Sequence, residues 1–176
     1  MIVVVTGPES VGKTTLCRAL SAHYRGAWEP EYARTYLESI PRHYTYDDVE
    51  HIARIQYLML LDYRYKNDGQ YVFFDTYLII TKIWFQKVYG LVPQWIDGAI
   101  LGSMIDFALL LEPDVPWEAD PLRENGAAEQ RRHLFNLYKQ ELEYFKIPYS
   151  IVGGNGEQRV KNSVNGIESF LRYKPK

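Results

Sequence analysis

The segment that most restricts the fold of this chain is Gly7–Thr14, which reads Gly-Pro-Glu-Ser-Val-Gly-Lys-Thr. It follows the apolar run Met1–Val5 and precedes Thr15–His23, a stretch compatible with a helix. Glycines at its first and sixth positions let the backbone wrap tightly, so that successive N–H groups and the helix N-terminus point at one anionic centre. The segment therefore predicts a phosphate-binding loop between a strand and a helix, called the phosphate loop below.

Two side chains at the end of this loop predict its ligand more closely. Lys13 carries a point charge suited to the β- and γ-phosphates of a nucleotide, and Thr14 offers the kind of oxygen that Mg²⁺ prefers. A glycine-rich turn with an incidental lysine is the alternative, but the flanking strand and helix favour the phosphate loop. We expect nucleotide contacts from Gly7, Glu9, Ser10, Val11, Gly12, Lys13, Thr14 and Thr15.

Along the rest of the chain, short apolar runs alternate with helix-compatible segments, which predicts an α/β fold with a parallel sheet and right-handed crossovers. The five expected strands are Met1–Val5, Gly26–Glu29, Tyr71–Phe74, Phe107–Leu111 and Tyr149–Val152. After Thr15–His23, helices are expected from Tyr32 onward and over Tyr46–Asn67, Thr76–Tyr89, Pro93–Leu101, Glu129–Phe145 and Glu157–Tyr173. The length of 176 residues fits one domain over residues 1–173 with a short tail at 174–176.

Charge and composition argue against several classes of partner. The formal net charge of −2 supplies no basic surface for nucleic acid. No stretch has the length and apolar character of a membrane span, and Met1–Val5 lacks the basic flank of a signal peptide. Cys17, the single cysteine, is expected to be a small buried hydrophobic residue. We therefore expect a cytoplasmic protein that binds small molecules and neither nucleic acid nor membranes, with its oligomeric state left open.

Acidic residues follow two of the predicted strands. Ligands of such sheets lie beyond the carboxyl ends of the strands, so these acids are candidate site residues. Asp75 is expected to support Mg²⁺ or base chemistry, with an N-cap of the next helix as the alternative. Glu31 is expected to accept a proton from an acceptor hydroxyl or to anchor substrate hydroxyls, with stabilisation of a helix dipole as its alternative. Arg34 either pairs with Glu31 or reaches an anionic group.

The segment Asp114–Gly126 contains prolines, acids and an arginine but no periodicity, and it is expected to form a lid over about residues 114–132. Arg123, together with Arg131 or Arg132, is expected to approach the transferred phosphoryl group when the lid closes. Exposed arginines are usually solvated, which is the alternative for each of them. We include Arg123 and Arg131 among the nucleotide-binding candidates.

The chain is rich in aromatic residues, with 15 Tyr, 7 Phe and 4 Trp, most of which must pack in the core. A few rings lie beside strand ends or the lid, where they would stack on a base and bind a cationic ring more strongly. Gln56, which shares a predicted helix face with Val49, is a further candidate for binding the acceptor. The expected acceptor-binding residues are Trp28, Glu31, Tyr32, Arg34, Gln56, Asp75, Trp84 and Trp117.

These segments together resemble the ribosylnicotinamide (nicotinamide riboside) kinase family, the kinase domain of bifunctional NAD-biosynthesis regulators. The residues that carry the resemblance occur in the same order over nearly the whole chain. They are the phosphate loop, Trp28 with Glu31-Tyr32-Ala33-Arg34, Asp75-Thr76, and Pro116-Trp117-Glu118 through Asp120-Pro121-Leu122-Arg123. The four histidines form no His-x-Gly-His pattern, so we expect no adenylyltransferase activity of the kind that the bifunctional relatives carry.

The resemblance implies a nucleoside-kinase-like, P-loop fold with three layers, ATP and Mg²⁺ as cofactors, and transfer to the 5′-hydroxyl of nicotinamide riboside to give nicotinamide mononucleotide. It implies that Lys13 and Thr14 bind donor phosphates and metal, that Glu31 and Arg34 flank the acceptor, and that Arg123 belongs to the lid. Whether Glu29, Glu31 or Asp75 is the base stays open, as does the choice between ATP and GTP. A kinase for another nucleoside, or an ATP-dependent switch that acts on a protein partner, are the alternative functions.

Overall fold

Five parallel strands form the central sheet of the computed structural model, which describes residues 1–66, 69–118 and 127–173. The strands are β1 (Ile2–Thr6), β2 (Ala27–Glu29), β3 (Val72–Asp75), β4 (Phe107–Leu111) and β5 (Tyr149–Val152). Their order across the sheet is β2-β3-β1-β4-β5. Each strand begins and ends within one residue of its predicted position, so the predicted α/β fold with a five-stranded parallel sheet is confirmed.

The centre of the sheet is β1, whose Val4 pairs with Phe74 of β3 on one side and with Ala108 of β4 on the other. The chain builds β2 and β3 on one side of β1 before it crosses to build β4 and β5 on the other side. The carboxyl end of β1 is therefore the switch point of the sheet, where doubly wound folds bind their ligands. The phosphate loop begins at this point.

Seven helices surround the sheet in the described ranges. They are α1 (Lys13–Tyr24), α2 (Tyr32–Ser39), α3 (Tyr46–Lys66), α4 (Leu78–Tyr89), α5 (Trp95–Gly102), α6 (Ala128–Tyr144) and α7 (Gly156–Tyr173). Helix α4 begins at Leu78 instead of the predicted Thr76, because Thr76 has a φ of 73° and interrupts the helical backbone. Among these helices there is none with the length and apolar character that crossing a membrane requires.

Two apolar clusters cover the two faces of the sheet, because successive side chains of a strand point to opposite faces. Val3 and Val5 of β1 pack in one cluster with residues of α1 and α7, and Cys17 is fully buried there. Ile2 and Val4 pack in the other cluster with residues of α3, α4, α5 and α6. The sheet thus lies between two helical layers, and its near-continuous apolar strands follow from burial on both faces.

Candidate active site

The backbone of the phosphate loop has positive φ angles at three positions, which residues with a side chain rarely adopt. Gly7 has a φ of 145° and Gly12, which precedes α1 as its N-cap, has a φ of 76°, while Ser10 between them has a φ of 57°. A Cβ atom on Gly7 would lie 2.9 Å from the carbonyl oxygen of Leu111 in β4. Glycine is therefore required at position 7 for both conformation and space, and the resulting concave loop is of the kind that binds anions with its N–H groups.

The ammonium group of Lys13 lies against the loop itself. Its Nζ donates hydrogen bonds to the carbonyl oxygens of Pro8, at 2.8 Å, and Gly7, at 3.1 Å. Lys13 is the first residue of α1, so its charge adds to the positive end of the helix dipole. The geometry places a fixed cation at the mouth of an anion-binding loop.

Asp75 ends β3 next to the phosphate loop and is 2% exposed. Its Oδ2 accepts a hydrogen bond of 2.5 Å from the hydroxyl of Thr14, and its Oδ1 has no hydrogen-bond partner among the described residues. Burial raises the pKa of the Asp75 carboxyl, although the Thr14 hydrogen bond and the nearby charge of Lys13 act in the opposite direction. The alternative that Asp75 caps the next helix is wrong, because Tyr77 is the N-cap of α4.

The pair Thr14 and Asp75 suits a hard divalent cation. An unpartnered buried carboxylate oxygen beside a hydroxyl provides the oxygen ligands that Mg²⁺ prefers, and Mg²⁺ completes its shell with phosphate oxygens and water. In the described part of the chain, no group of three or more His, Cys, Asp or Glu side chains forms a metal site by protein ligands alone. The residues therefore fit a magnesium ion held jointly with a nucleotide.

A cavity of about 1250 Å³ extends from the phosphate loop between α2 and α4. Ligand pockets for one drug-sized molecule measure about 300–1,000 Å³, so this cavity has room for two small molecules. Its lining at the loop end comprises Gly7, Glu9, Ser10, Val11, Gly12, Lys13, Thr14, Thr15, Asn155, Gly156 and Arg159. At the far end it comprises Glu31, Ala33, Arg34, Leu37, Ile40, Arg42, His43, Tyr44, Ile80, Ile83, Trp84 and Lys87.

Trp84 is the predicted aromatic residue that lines this cavity. Its indole Nε1 donates a hydrogen bond of 3.2 Å to the hydroxyl of Tyr44, and the two rings meet edge to face with centroids 4.9 Å apart. Tyr44 also lines the cavity but was not predicted from the sequence. Together Trp84 and Tyr44 form the aromatic wall, a surface suited to stacking against a flat ring.

Two other predicted acceptor residues face away from the cavity. Trp28 of β2 packs in the apolar cluster that β1 forms with residues of α1 and α7, called the α1 cluster below. The guanidinium of Arg18 lies 4.5 Å from the centre of the Trp28 ring. Gln56 is 6% exposed, and its Oε1 accepts a hydrogen bond of 2.7 Å from the hydroxyl of Thr81, between α3 and α4. The predicted face that Gln56 shares with Val49 is therefore a core face rather than a ligand surface.

Tyr32 and Trp117 are not among the residues that line the cavity, although their sequence neighbours are. The hydroxyl of Tyr32 is 3.0 Å from Nε2 of His51 in α3. Trp117 lies between Pro116 and Glu118, which do line the cavity, and its Nε1 is buried with no hydrogen-bond partner in the described ranges. Acceptor contact for these two rings stays a prediction.

Glu31 and Arg34 both line the cavity at the start of α2. Glu31 occupies the N-cap position of α2, but its side chain makes no capping hydrogen bond there. Arg34 Nη1 lies 3.4 Å from Oε1 of Glu38, one turn further along the helix. Of the two glutamates considered for the acceptor role, Glu31 lines the cavity and Glu29 is not among the lining residues. Burial raises the pKa of the Glu29 carboxyl, although a hydrogen bond from Tyr63 acts in the opposite direction.

Asp48 joins several residues on the α2–α3 side of the cavity. Its carboxylate accepts two hydrogen bonds from the lining residue Arg42, at 2.6 and 2.9 Å, and one of 2.7 Å from the hydroxyl of Tyr36. These hydrogen bonds, with further ones from Thr45, hold the pKa of Asp48 well below its usual range. Arg42 was not predicted, since no sequence motif marks the short segment between α2 and α3.

The predicted lid arginines fall into two groups. Arg123 lies outside the described residues, as do residues 119–126 of the predicted lid. Arg131 is 4% exposed and donates to the carbonyl oxygens of Val115, at 2.9 Å, and Ser10, at 3.4 Å, so it lies behind the phosphate loop. Arg159 of α7, which was not predicted, lines the cavity and donates to the carbonyl oxygen of Val11. Its position after the glycines that follow a predicted strand was the signal available in the sequence.

This chain matches one protein family and is similar to two curated proteins. The AAA domain family matches residues 2–159. The Trifunctional NAD biosynthesis/regulator protein NadR of Escherichia coli (strain K12) is 29% identical over 151 residues, which cover 84% of this chain and 37% of the relative. The protein of the same name from Salmonella typhimurium is 28% identical over equal shares. The chain thus spans little more than a third of the length of the curated relatives it matches.

Solved structures share the fold. A NadR protein in complex with NR has a TM-score of 0.76 at 22% identity, covering 99% of this chain and 52% of that chain. A NadR protein in complex with NAD and AMP-PNP has a TM-score of 0.75 at 22% identity, covering 99% and 50%. Deoxyadenosine kinase from M. mycoides with bound dCTP has a TM-score of 0.59 at 17% identity, covering 96% and 100%. The sheet and helices described above are thus arranged as in these solved structures.

Proposed function

This chain belongs to the AAA domain family, and we propose that it is an ATP-dependent kinase that phosphorylates the 5′-hydroxyl of nicotinamide riboside to give nicotinamide mononucleotide. The observation that carries the proposal is the continuity of one cavity between the phosphate loop and the aromatic wall of Tyr44 and Trp84. A donor bound at the loop and an acceptor bound at the wall would meet between Lys13 and Glu31. The similarity to NadR, together with the NadR structures in complex with NR and with NAD and AMP-PNP, supports this pairing of ligands.

The donor side of the proposed site consists of the phosphate loop with Lys13, Thr14 and Asp75. The N–H groups of the loop and the Lys13 ammonium would hold the phosphates in place, because positioning and charge neutralisation supply most of the catalysis of phosphoryl transfer. Thr14 and Asp75 would hold Mg²⁺, which neutralises phosphate charge when bound. Lys13 would exchange its hydrogen bonds to Gly7 and Pro8 for phosphate oxygens.

The acceptor side consists of Glu31, Arg34 and the aromatic wall. Trp84 would stack on the pyridinium ring, whose positive charge is attracted to the face of an indole. Glu31 would anchor the ribose and take the proton of the 5′-hydroxyl as that oxygen attacks the γ-phosphorus atom and the bond to the β-phosphate oxygen breaks. The products are nicotinamide mononucleotide and ADP. We further propose that residues 1–173 form one kinase unit and that the compartment is the cytoplasm.

A nucleoside panel tests this function directly. Purified chain is mixed with ATP, Mg²⁺ and one of nicotinamide riboside, adenosine, deoxyadenosine, cytidine, uridine or thymidine, and ADP release is followed with a coupled assay. We expect riboside-dependent ADP release with kcat/KM for nicotinamide riboside at least tenfold above the others. ADP release that depends on another nucleoside would assign the same site to a different kinase. ATP binding with no nucleoside-dependent ADP release would refute the kinase assignment.

A matched pair of tryptophan variants tests the acceptor side. Trp84→Leu removes the cavity-lining ring, and stacking of a base on an aromatic side chain contributes about 1–3 kcal/mol, so the KM for nicotinamide riboside should rise about tenfold or more. Trp95→Leu removes an indole that lies outside the cavity, where it donates a hydrogen bond of 3.1 Å to Glu50. Its KM should stay within twofold of the parent value. Equal KM values in the two variants would contradict the assigned wall.

A further inference from the structure

Two buried arginines donate hydrogen bonds to carbonyl oxygens of the phosphate loop, one from α6 and one from α7. Arg131 is 4% exposed and Arg159 is 5% exposed. Arg159 also donates to the carbonyl oxygen of Gly154, at 2.6 Å, and forms an ion pair with Asp114, the residue that follows Pro113 after β4. Arg131 donates to the carbonyl oxygen of Val115 at 2.9 Å. Both guanidinium groups therefore connect the loop to Asp114 and Val115, which begin the predicted lid.

The two arginines bind consecutive carbonyl groups of the loop. Arg131 Nη2 lies 3.4 Å from the carbonyl oxygen of Ser10, and Arg159 Nη1 donates to the carbonyl oxygen of Val11 in a shorter contact. The peptide bonds here are trans, and in a trans peptide the N–H and C=O groups point in opposite directions. The N–H groups of Val11 and Gly12 therefore point away from the guanidinium groups that hold their peptide units.

We propose that Arg131 and Arg159 are positioning residues that fix and polarise the peptide units 10–11 and 11–12, and thereby strengthen phosphate binding by the loop. A hydrogen bond from a charged donor to a carbonyl oxygen draws electron density from the same peptide unit, which makes its N–H a stronger donor. Because both groups are buried, little water screens this effect. The inference rests on the proposed nucleotide site, but it does not depend on which nucleoside is the acceptor.

Burial argues against the alternative in which Arg131 reaches the transferred phosphoryl group directly. Its exposure of 4% and its hydrogen bond to Val115 hold the guanidinium behind the loop. Burial also lowers the pKa of the Arg131 guanidinium, although an arginine keeps its charge at neutral pH. Asp114, ion-paired with Arg159, supplies the negative charge that makes two neighbouring buried cations tolerable.

Binding measurements without nicotinamide riboside test this inference. Affinities for AMP-PNP and for adenosine are measured calorimetrically on the full chain and on Arg159→Gln, Arg159→Lys and Arg131→Gln, each first checked by circular dichroism. We expect Arg159→Gln to weaken AMP-PNP binding about tenfold and Arg131→Gln about threefold, because a neutral donor forms a hydrogen bond about half as strong as a charged one. Arg159→Lys should recover part of the loss. Adenosine, which has the same base and no phosphate, should bind all variants equally.

Two other basic residues of the same helices serve as matched controls. Lys139→Gln on α6 removes a half-exposed charge that is paired with Glu143, and Arg172→Gln removes an exposed charge at the last turn of α7. Both substitutions should leave both affinities unchanged. An equal loss of AMP-PNP and adenosine affinity in the Arg159 variants would overturn the inference, since it would indicate contact with the base or a general distortion. Unchanged AMP-PNP affinity would also overturn it. If Arg159→Gln does not fold, Arg131→Gln and Arg159→Lys decide the same question. The nucleoside panel tests the proposed function separately, because these measurements record binding and not phosphoryl transfer.

Discussion

Replacement of Asp75 by asparagine should separate catalysis from stability. The two side chains have nearly the same shape, so an asparagine oxygen can still accept the hydrogen bond that Thr14 donates at 2.5 Å. The substitution removes one negative charge beside the phosphate loop. A carboxylate and a unit positive charge about 4 Å away attract each other by about 4 kcal/mol at an effective dielectric constant of about 20. At about 1.4 kcal/mol per factor of ten, kcat should fall about a thousandfold.

The same substitution should stabilise the folded chain at neutral pH. Burial raises the pKa of Asp75, so the ionised carboxylate opposes folding. This loss of stability is absent below the pKa that the Asp75 carboxyl has in the unfolded chain. It develops as the pH rises towards and through the higher pKa that the same carboxyl has in the folded chain. Asp75→Asn should therefore unfold at a higher temperature than the parent at pH 8, and the difference should shrink towards pH 4.

Steady-state kinetics, AMP-PNP titration and thermal unfolding of the same two preparations measure these effects. AMP-PNP binding in the absence of Mg²⁺ should stay within about threefold, because the loop N–H groups and Lys13 are unchanged. A kcat within tenfold of the parent would remove Asp75 from the mechanism. A lower unfolding temperature for Asp75→Asn at pH 8 would contradict the electrostatic reasoning, even if activity fell as expected.

Two further substitutions test the packing behind the site and the loop itself. Lys82 Nζ lies 2.7 Å from the carboxylate of Glu141, and Lys82→Met leaves this carboxylate without its cation. The free energy of unfolding should fall by about 3 kcal/mol, which lowers the unfolding temperature by roughly 6–12 °C. Differential scanning calorimetry measures this, and recovery in Lys82→Met with Glu141→Leu is the control. Gly7→Ala should weaken ATP binding more than tenfold, since its Cβ would lie 2.9 Å from the Leu111 carbonyl oxygen. Gly98→Ala, where a Cβ meets nothing within 4 Å, should bind ATP normally in the same titration.

The fold was predictable because each of its main signals is local. Buried parallel strands appear as continuous apolar runs, and Phe107–Leu111 is predicted and observed with the same bounds. The phosphate loop marks the switch point of the sheet by its own glycines. The start of α4 was not predictable in this way, because the φ of 73° at Thr76 is imposed on a residue that has no intrinsic preference for it. The hydrogen bond from Thr76 N to the Val5 carbonyl oxygen shows that contact with β1 accompanies this conformation.

The site was only partly predictable, since sequence position does not determine which way a side chain faces. Trp28 lies in a strand of three residues, too short for alternation to reveal its buried face, and it pairs in register with Phe73 of the α1 cluster. Gln56 satisfies its amide oxygen inside the core, which its helix pattern could not distinguish from a ligand contact. Arg131 and Arg159 donate hydrogen bonds to backbone carbonyl oxygens, and every residue has such a carbonyl group. No sequence pattern therefore specifies such partners.

The register of β2 explains why Glu31 rather than Glu29 reaches the cavity. Glu29 is the last residue of β2 and pairs with Phe74, one residue before the end of β3. Its backbone therefore lies within the sheet, and Pro30 then turns the chain so that Glu31 begins α2 beyond the strand ends. Asp75 is the last residue of β3, the strand that pairs with β2. One carboxylate therefore lies beside the phosphate loop and a second lines the same cavity from α2, which is the arrangement that a donor and an acceptor bound together require.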